Sequence, residues 1–147
     1  MKRYYLDAGI FLTPMLKNLD PATVRACENW IKKVAAAEII AVTSYLTWDE
    51  VAWVAGRAVK GAPFDRNRAR DAAAALLGIP NLQFVPVDET IINEAGNLLD
   101  SLAPRDSIHA STAILHAAGN LVTADSDFFS SRSRAAGLVI HPVRVVH

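Results

Sequence analysis

Residues 39 to 43 read Ile-Ile-Ala-Val-Thr, a largely β-branched run with no polar alternation. A strand of that kind is covered on both faces, which excludes a sheet with one side in water. Tyr4-Tyr-Leu6, Leu82 to Val87, Leu121-Val-Thr123 and Leu138-Val-Ile140 read as further short strands. Pro86 marks its run as an edge or a strand end. Between them, helical patterns occupy 22–37, 47–60, 65–77, 90–102 and 105–118, with a short one around 128–135. Gly61, Gly78, Pro104 and Gly119 punctuate them. Strands alternating with helices predict an α/β fold, a mostly parallel central sheet with helices on both faces.

The 147 residues fit a single domain spanning 1–147. Fifteen basic residues balance fifteen acidic ones, so any basic surface for a polyanion has to be local. Cys27 is the single cysteine and has no partner for an internal disulfide, which suits a reducing compartment. The N-terminal apolar run is interrupted at Asp7, unlike a signal peptide. No apolar stretch approaches the roughly 18 residues of a membrane span. A cytoplasmic protein with no membrane association is the expectation.

Acids collect at strand ends. Asp7 closes the first strand, Asp125 and Asp127 follow the strand ending at Thr123, Asp106 stands in the first turn after Pro104, and Glu50 lies shortly after the second strand. In open α/β sheets, ligands bind in the crevice beyond the carboxyl ends of the strands. Each acid also has a local explanation. Asp7 suits an Asx turn. Thr47-Trp-Asp-Glu50 has the spacing of a capping box with Thr47 as N-cap. Asp106 complements a helix dipole, and Asp125 and Asp127 suit a turn. Collectively the local explanations strain, because unit charges 4 Å apart repel by about 4 kcal/mol near the protein surface. A shared cation removes that cost. Oxygen-only donors select a hard ion, Mg²⁺ or Mn²⁺, and such a site suits metal-assisted phosphodiester hydrolysis.

Four segments together resemble the PIN-domain nucleases, in particular the VapC-type toxins of toxin–antitoxin pairs. They are Tyr5-Leu-Asp7, Leu46-Thr-Trp-Asp-Glu50-Val51, Pro104-Arg-Asp106-Ser-Ile-His-Ala-Ser-Thr-Ala113 and Leu121-Val-Thr-Ala-Asp125-Ser-Asp127-Phe128. The resemblance spans nearly the whole chain. It implies a PIN-like three-layer α/β/α fold and a Mg²⁺- or Mn²⁺-dependent endoribonuclease. Asp7, Glu50, Asp106 and Asp125 become the catalytic acids, and Asp7, Asp106, Asp125 and Asp127 the metal ligands. RNA as substrate, a VapB-like antitoxin and a homodimer are also implied. Gly9 stands where the family commonly carries Ser, Thr or Asn, while Thr123 keeps its hydroxyl, either to orient Asp125 or simply as a strand-end threonine.

His109 and His116 lie about two turns apart on the helix after Asp106. A packed or hydrogen-bonded state is expected for His109, with a proton carrier as the other reading. Arg57, Lys60, Arg66, Arg68 and Arg70 cluster around residues 57–70 and are candidates for holding RNA phosphates, or simply a solvated helix face. Trp48 and Trp53 read as core or dimer contacts. A haloacid-dehalogenase-like phosphatase would want an acid at position 9 and a late lysine, and no lysine follows Lys60. A receiver-type phosphoacceptor fails on the same lysine. A PIN scaffold that has lost catalysis and only binds RNA or protein is the remaining alternative.

Overall fold

The computed structural model describes residues 1–129 and 136–143. Five strands, β1 (Arg3–Leu6), β2 (Ile40–Ser44), β3 (Leu82–Val85), β4 (Asn120–Thr123) and β5 (Val139–Pro142), form one sheet in the order β3-β2-β1-β4-β5. Every neighbouring pair is parallel. Helices α1 (Ala8–Leu16) and α2 (Pro21–Ala35) connect β1 to β2, α3 (Tyr45–Gly56) and α4 (Arg66–Leu77) connect β2 to β3, and α5 (Glu89–Asn97) and α6 (Pro104–His116) connect β3 to β4. The expected α/β class holds, and the sheet is wholly rather than mostly parallel.

Side-chain alternation fixes the layers. Leu6, Ala41 and Val122 point to one face, where α1 to α4 cover them through Ile10, Phe11, Cys27, Val34, Val51 and Leu76. Tyr5, Val42 and Leu121 point to the other, beneath Ala110 and Ala113 of α6, Ala117 just past its end, and the turns at Leu98 and Leu102. Tyr5 lies beside both Val42 and Leu121, so the register keeps the two sets in step across three strands. A slip by one residue would swap the faces of every side chain in the strand that moved. Each large apolar side chain displaced would forfeit roughly 1.5–3 kcal/mol of burial.

Chain order runs outward from β1 through β2 to β3 on one side, and from β4 to β5 on the other. The connections after β1 and β4 therefore diverge, which opens a crevice between their carboxyl ends. Asp7 and Asp125 flank that crevice.

Three expectations need correction. α1 was not foreseen: Ala8-Gly-Ile-Phe-Leu-Thr-Pro-Met-Leu carries apolar residues without a polar face, and Pro14 lies inside it. α3 begins at Tyr45 after Ser44, not behind Thr47, and ends at Gly56. α5 stops at Asn97, with Leu98 and Leu102 buried in the turns beyond. Among the described residues β4 is followed by a 3₁₀ turn, Ser126–Phe128; most of the helix expected over 128–135 lies outside them. Among the described residues no helix is long and apolar enough to cross a membrane.

Gly119 joins α6 to β4 with φ +81°, and a Cβ there would stand 2.3 Å from the Gly137 carbonyl oxygen. Its amide bonds the Ala113 carbonyl at 2.9 Å. Both the left-handed backbone and the contact with main chain forbid a side chain. Gly119→Ala is expected to cost about 2 kcal/mol or more in urea denaturation, at the upper end of single substitutions. A loss below about 0.5 kcal/mol, the range of neutral surface changes, would mean that the β4–β5 edge yields.

Candidate active site

Asp7 is the N-cap of α1 and is only 5% exposed. One carboxylate oxygen accepts the Gly9 amide at 3.1 Å; the other accepts the Thr123 hydroxyl. Burial pushes its pKa up to about 6. The Thr123 hydrogen bond and nearby His109 oppose the rise, while Asp125 and Glu50 add to it. Thr123, itself fully buried, accepts the Asp125 amide at 2.9 Å. Its one hydroxyl thus ties together the acids on the two sides of the crevice. Asp125 in turn caps the 3₁₀ turn by accepting the Asp127 amide at 2.9 Å.

Asp106 enters from the first turn of α6. Its pKa is raised by partial burial and then by the charges of Asp125 and Asp127. Asp106, Asp125 and Asp127 each bring an oxygen within 4.8 Å of the others. Asp7, Glu50, Asp106, His109 and Asp125 line one pocket of about 140 Å³, with Gly9 and Phe128 in its wall. Asp127 is exposed on the 3₁₀ turn. The donors are carboxylate oxygens alone, the set that suits a hard divalent cation rather than zinc or copper.

Glu50 is not part of a capping box. It sits in the second turn of α3, and its Oε1 accepts from His109 Nε2 at 2.8 Å. Thr47 is buried inside the helix, where its hydroxyl meets that of Thr43 at 2.7 Å; Thr43 donates to the Leu6 carbonyl at 2.8 Å. His109 is hydrogen-bonded, as expected, and its other nitrogen lies 2.5 Å from the Tyr5 hydroxyl. Tyr5 continues to Ser44 Oγ at 3.0 Å. The sequence signal for His109 was its position one turn beyond Asp106, but nothing in the sequence paired it with Glu50 or Tyr5.

The basic candidates lie apart from the pocket lining. Arg57 lies over the Trp53 ring at 4.5 Å, and Lys60 and Arg66 are exposed. Arg68 lines a larger cleft of about 690 Å³ between α1, α3 and α4, which contains none of the clustered acids. Trp53 stacks on Phe64 at 5.4 Å and 27°. Trp48 and Trp53 are 42% and 49% exposed, so neither is the core residue the sequence allowed, because both fall on the outer side of α3.

A family model described as the PIN domain matches residues 4–133. No curated protein matches the chain. Solved structures that resemble it include VapBC2 from Rickettsia felis bound to a DNA fragment from its promoter. There the TM-score is 0.66 at 17% identity, over 95% of this chain and 98% of that one. FitAcB from Neisseria gonorrhoeae gives 0.66 at 18% identity, over 95% and 97%. VapBC-5 from Mycobacterium tuberculosis, a member of the VapBC family of toxin–antitoxin systems, gives 0.55 at 17%, over 99% and 100%. At these identities the likeness concerns the fold.

The raised pKa of Asp7 has a consequence for stability. Between pH 4 and about 6 the folded chain keeps a proton on Asp7 that the unfolded chain, with its ordinary value of 3.8, has lost. Stability therefore falls as pH rises through that window and stays lower above it, by up to about 3 kcal/mol. Asp7→Asn is expected to stabilise the metal-free protein at pH 8 by up to that amount, with the gain vanishing near pH 4. Denaturation in EDTA at the two pH values measures this; an equal effect at both would remove burial of charge as the cause.

Proposed function

Because the chain belongs to the PIN-domain family, we propose that its acidic pocket is the centre of a divalent-cation-dependent endoribonuclease. We take the chain as one domain, the toxin of a VapBC-type pair. The carrying observation is the convergence of Asp7, Glu50, Asp106 and Asp125, from four separate segments, on one small pocket at the strand crevice. Oxygens of Asp106, Asp125 and Asp127 within 4.8 Å repel by about 3–4 kcal/mol per pair when all are ionised. A cation held between them would offset that repulsion.

In this reading Asp106, Asp125, Asp127 and Asp7 hold Mg²⁺ or Mn²⁺. When bound, the ion makes a water a better nucleophile and offsets charge on the phosphoryl oxygen. The chain's own contribution is orientation. Thr123 fixes Asp7 and Asp125 relative to each other, and the Gly9 amide fixes the second oxygen of Asp7. Arg57, Lys60, Arg66 and Arg68, on the α3–α4 segment, take RNA phosphates, contacts that position without reading sequence. The toxin–antitoxin complexes of the same fold support a VapB-like antitoxin as partner. The exposed Trp48 and Trp53 support a homodimer, and the α/β fold, with no spanning helix among the described residues, suits the cytoplasm.

The test is cleavage of a structured RNA with Mn²⁺ or Mg²⁺, with and without EDTA. Activity is expected with either ion and is abolished by the chelator. Asp106→Asn is expected to lower it by about 100-fold or more, beyond the loss typical of an outer-shell partner. Cleavage that survives both EDTA and Asp106→Asn would overturn the proposal.

A further inference from the structure

We propose that His109 is a positioning residue that clamps Glu50 so that a single carboxylate oxygen faces the acidic pocket. The inference rests on the nuclease reading and deepens it. His109 is 3% exposed and has both ring nitrogens engaged, Nε2 by Glu50 Oε1 at 2.8 Å and Nδ1 by the Tyr5 hydroxyl at 2.5 Å. An ionised carboxylate only accepts, so Nε2 carries the proton in that contact whichever way the other end is arranged. Tyr5 is fully buried between β2 and β4 and reaches the buried Ser44 at 3.0 Å. The imidazole is thus anchored to the sheet and cannot follow Glu50 outward.

That anchoring assigns Glu50 a role different from the aspartates. With Oε1 turned to α6 by the His109 N–H, a two-oxygen grip on an ion would compete with that hydrogen bond. It keeps Oε2 for a water or a substrate hydroxyl in the pocket that Glu50 and His109 both line. Burial disfavours the cationic imidazole, but the Tyr5 oxygen and the Glu50 carboxylate outweigh it and hold His109 above its ordinary range. The same charge opposes, without cancelling, the burial-driven rise in the pKa of Asp7 and of Asp106. A histidine that merely tied α3 to α6 would have no need to stand in the pocket wall.

Two measurements test the clamp. The first needs no activity: imidazole ¹H–¹⁵N spectra of the metal-free protein should show a slowly exchanging His109 Nε2–H. Glu50→Gln should shift it, and saturating Mg²⁺ should leave it in place. Loss of that resonance on adding Mg²⁺ would mean that Glu50 leaves His109 for the ion, and would overturn the proposal. The second is a cycle at saturating Mn²⁺. His109→Leu is expected to lower kcat by about 10- to 100-fold, the usual effect of an orienting partner, with metal affinity unchanged. In a Glu50→Gln background the same change should matter by no more than about twofold, since both act through one group. Equal losses in the two backgrounds would make His109 a folding residue only. His109→Gln, which keeps an N–H donor, should recover most of kcat; a defect as deep as that of the leucine variant would also refute the clamp. If no protein of the set cleaves RNA, the nuclease reading fails while the spectra still decide the geometry.

Discussion

Negative charge held close by a parallel sheet is the constraint on which the rest of the structure depends. The order β3-β2-β1-β4-β5 makes the chain diverge between β1 and β4, and that divergence opens a crevice at the carboxyl edge of the sheet. Asp7 is the residue immediately after β1, and Asp125 lies two residues after β4. Neither can move away from the other without disturbing Tyr5, Leu6, Leu121 and Val122, which are fully buried on the two faces of the sheet. The fold therefore sets the separation of the charges, and the charges must be accommodated where they are.

Hydroxyl groups do most of the accommodating. Thr123 joins the two sides of the crevice, and Thr43 and Thr47 link the end of β1 to the start of α3. These threonines are fully buried, yet among the described residues every buried side-chain polar atom has a partner. A hydroxyl both donates and accepts, so it can pair with a carboxylate on one side and an amide on the other. At Thr123 a second carboxylate would deepen the repulsion, and an apolar residue would leave Asp7 with a lost hydrogen bond in a buried setting, at about 1–3 kcal/mol.

Much of this was legible in the sequence. The β-branched run of β2 announced a doubly covered strand, and the acids after β1 and β4 announced a crevice. What failed did so for identifiable reasons. α1 lies against the sheet among other helices and has Ile10, Phe11 and Leu12 in succession, so it lacks the polar stripe on which helix recognition relies. Thr47 and Glu50 have capping-box spacing, but the chain turns helical three residues sooner, directly from the buried Ser44. The partnership of Glu50 with His109 joins positions 59 apart in sequence, and only the packing of α3 and α6 around β1 creates it. Local spacing carries no trace of such a contact.

Position 9 shows how the site can depart from a pattern without losing its logic. Glycine is not demanded there by space, since a Cβ would meet Asp7 Oδ1 at 3.4 Å, an ordinary contact. Nor does that residue adopt a left-handed backbone. What the backbone supplies is the amide that already satisfies this oxygen at 3.1 Å. A serine hydroxyl would compete with that amide for an oxygen that has already lost most of its solvent. In this chain, orientation of the first acid is therefore divided between a main-chain N–H at the start of α1 and the Thr123 hydroxyl across the crevice. The side-chain polar support that position 9 lacks is concentrated instead on Glu50, through His109 and Tyr5. The acids thus reach one small pocket from separate segments, and Asp7, Glu50 and Asp125 arrive with hydrogen-bonded anchors, which is what a preorganised charge cluster requires.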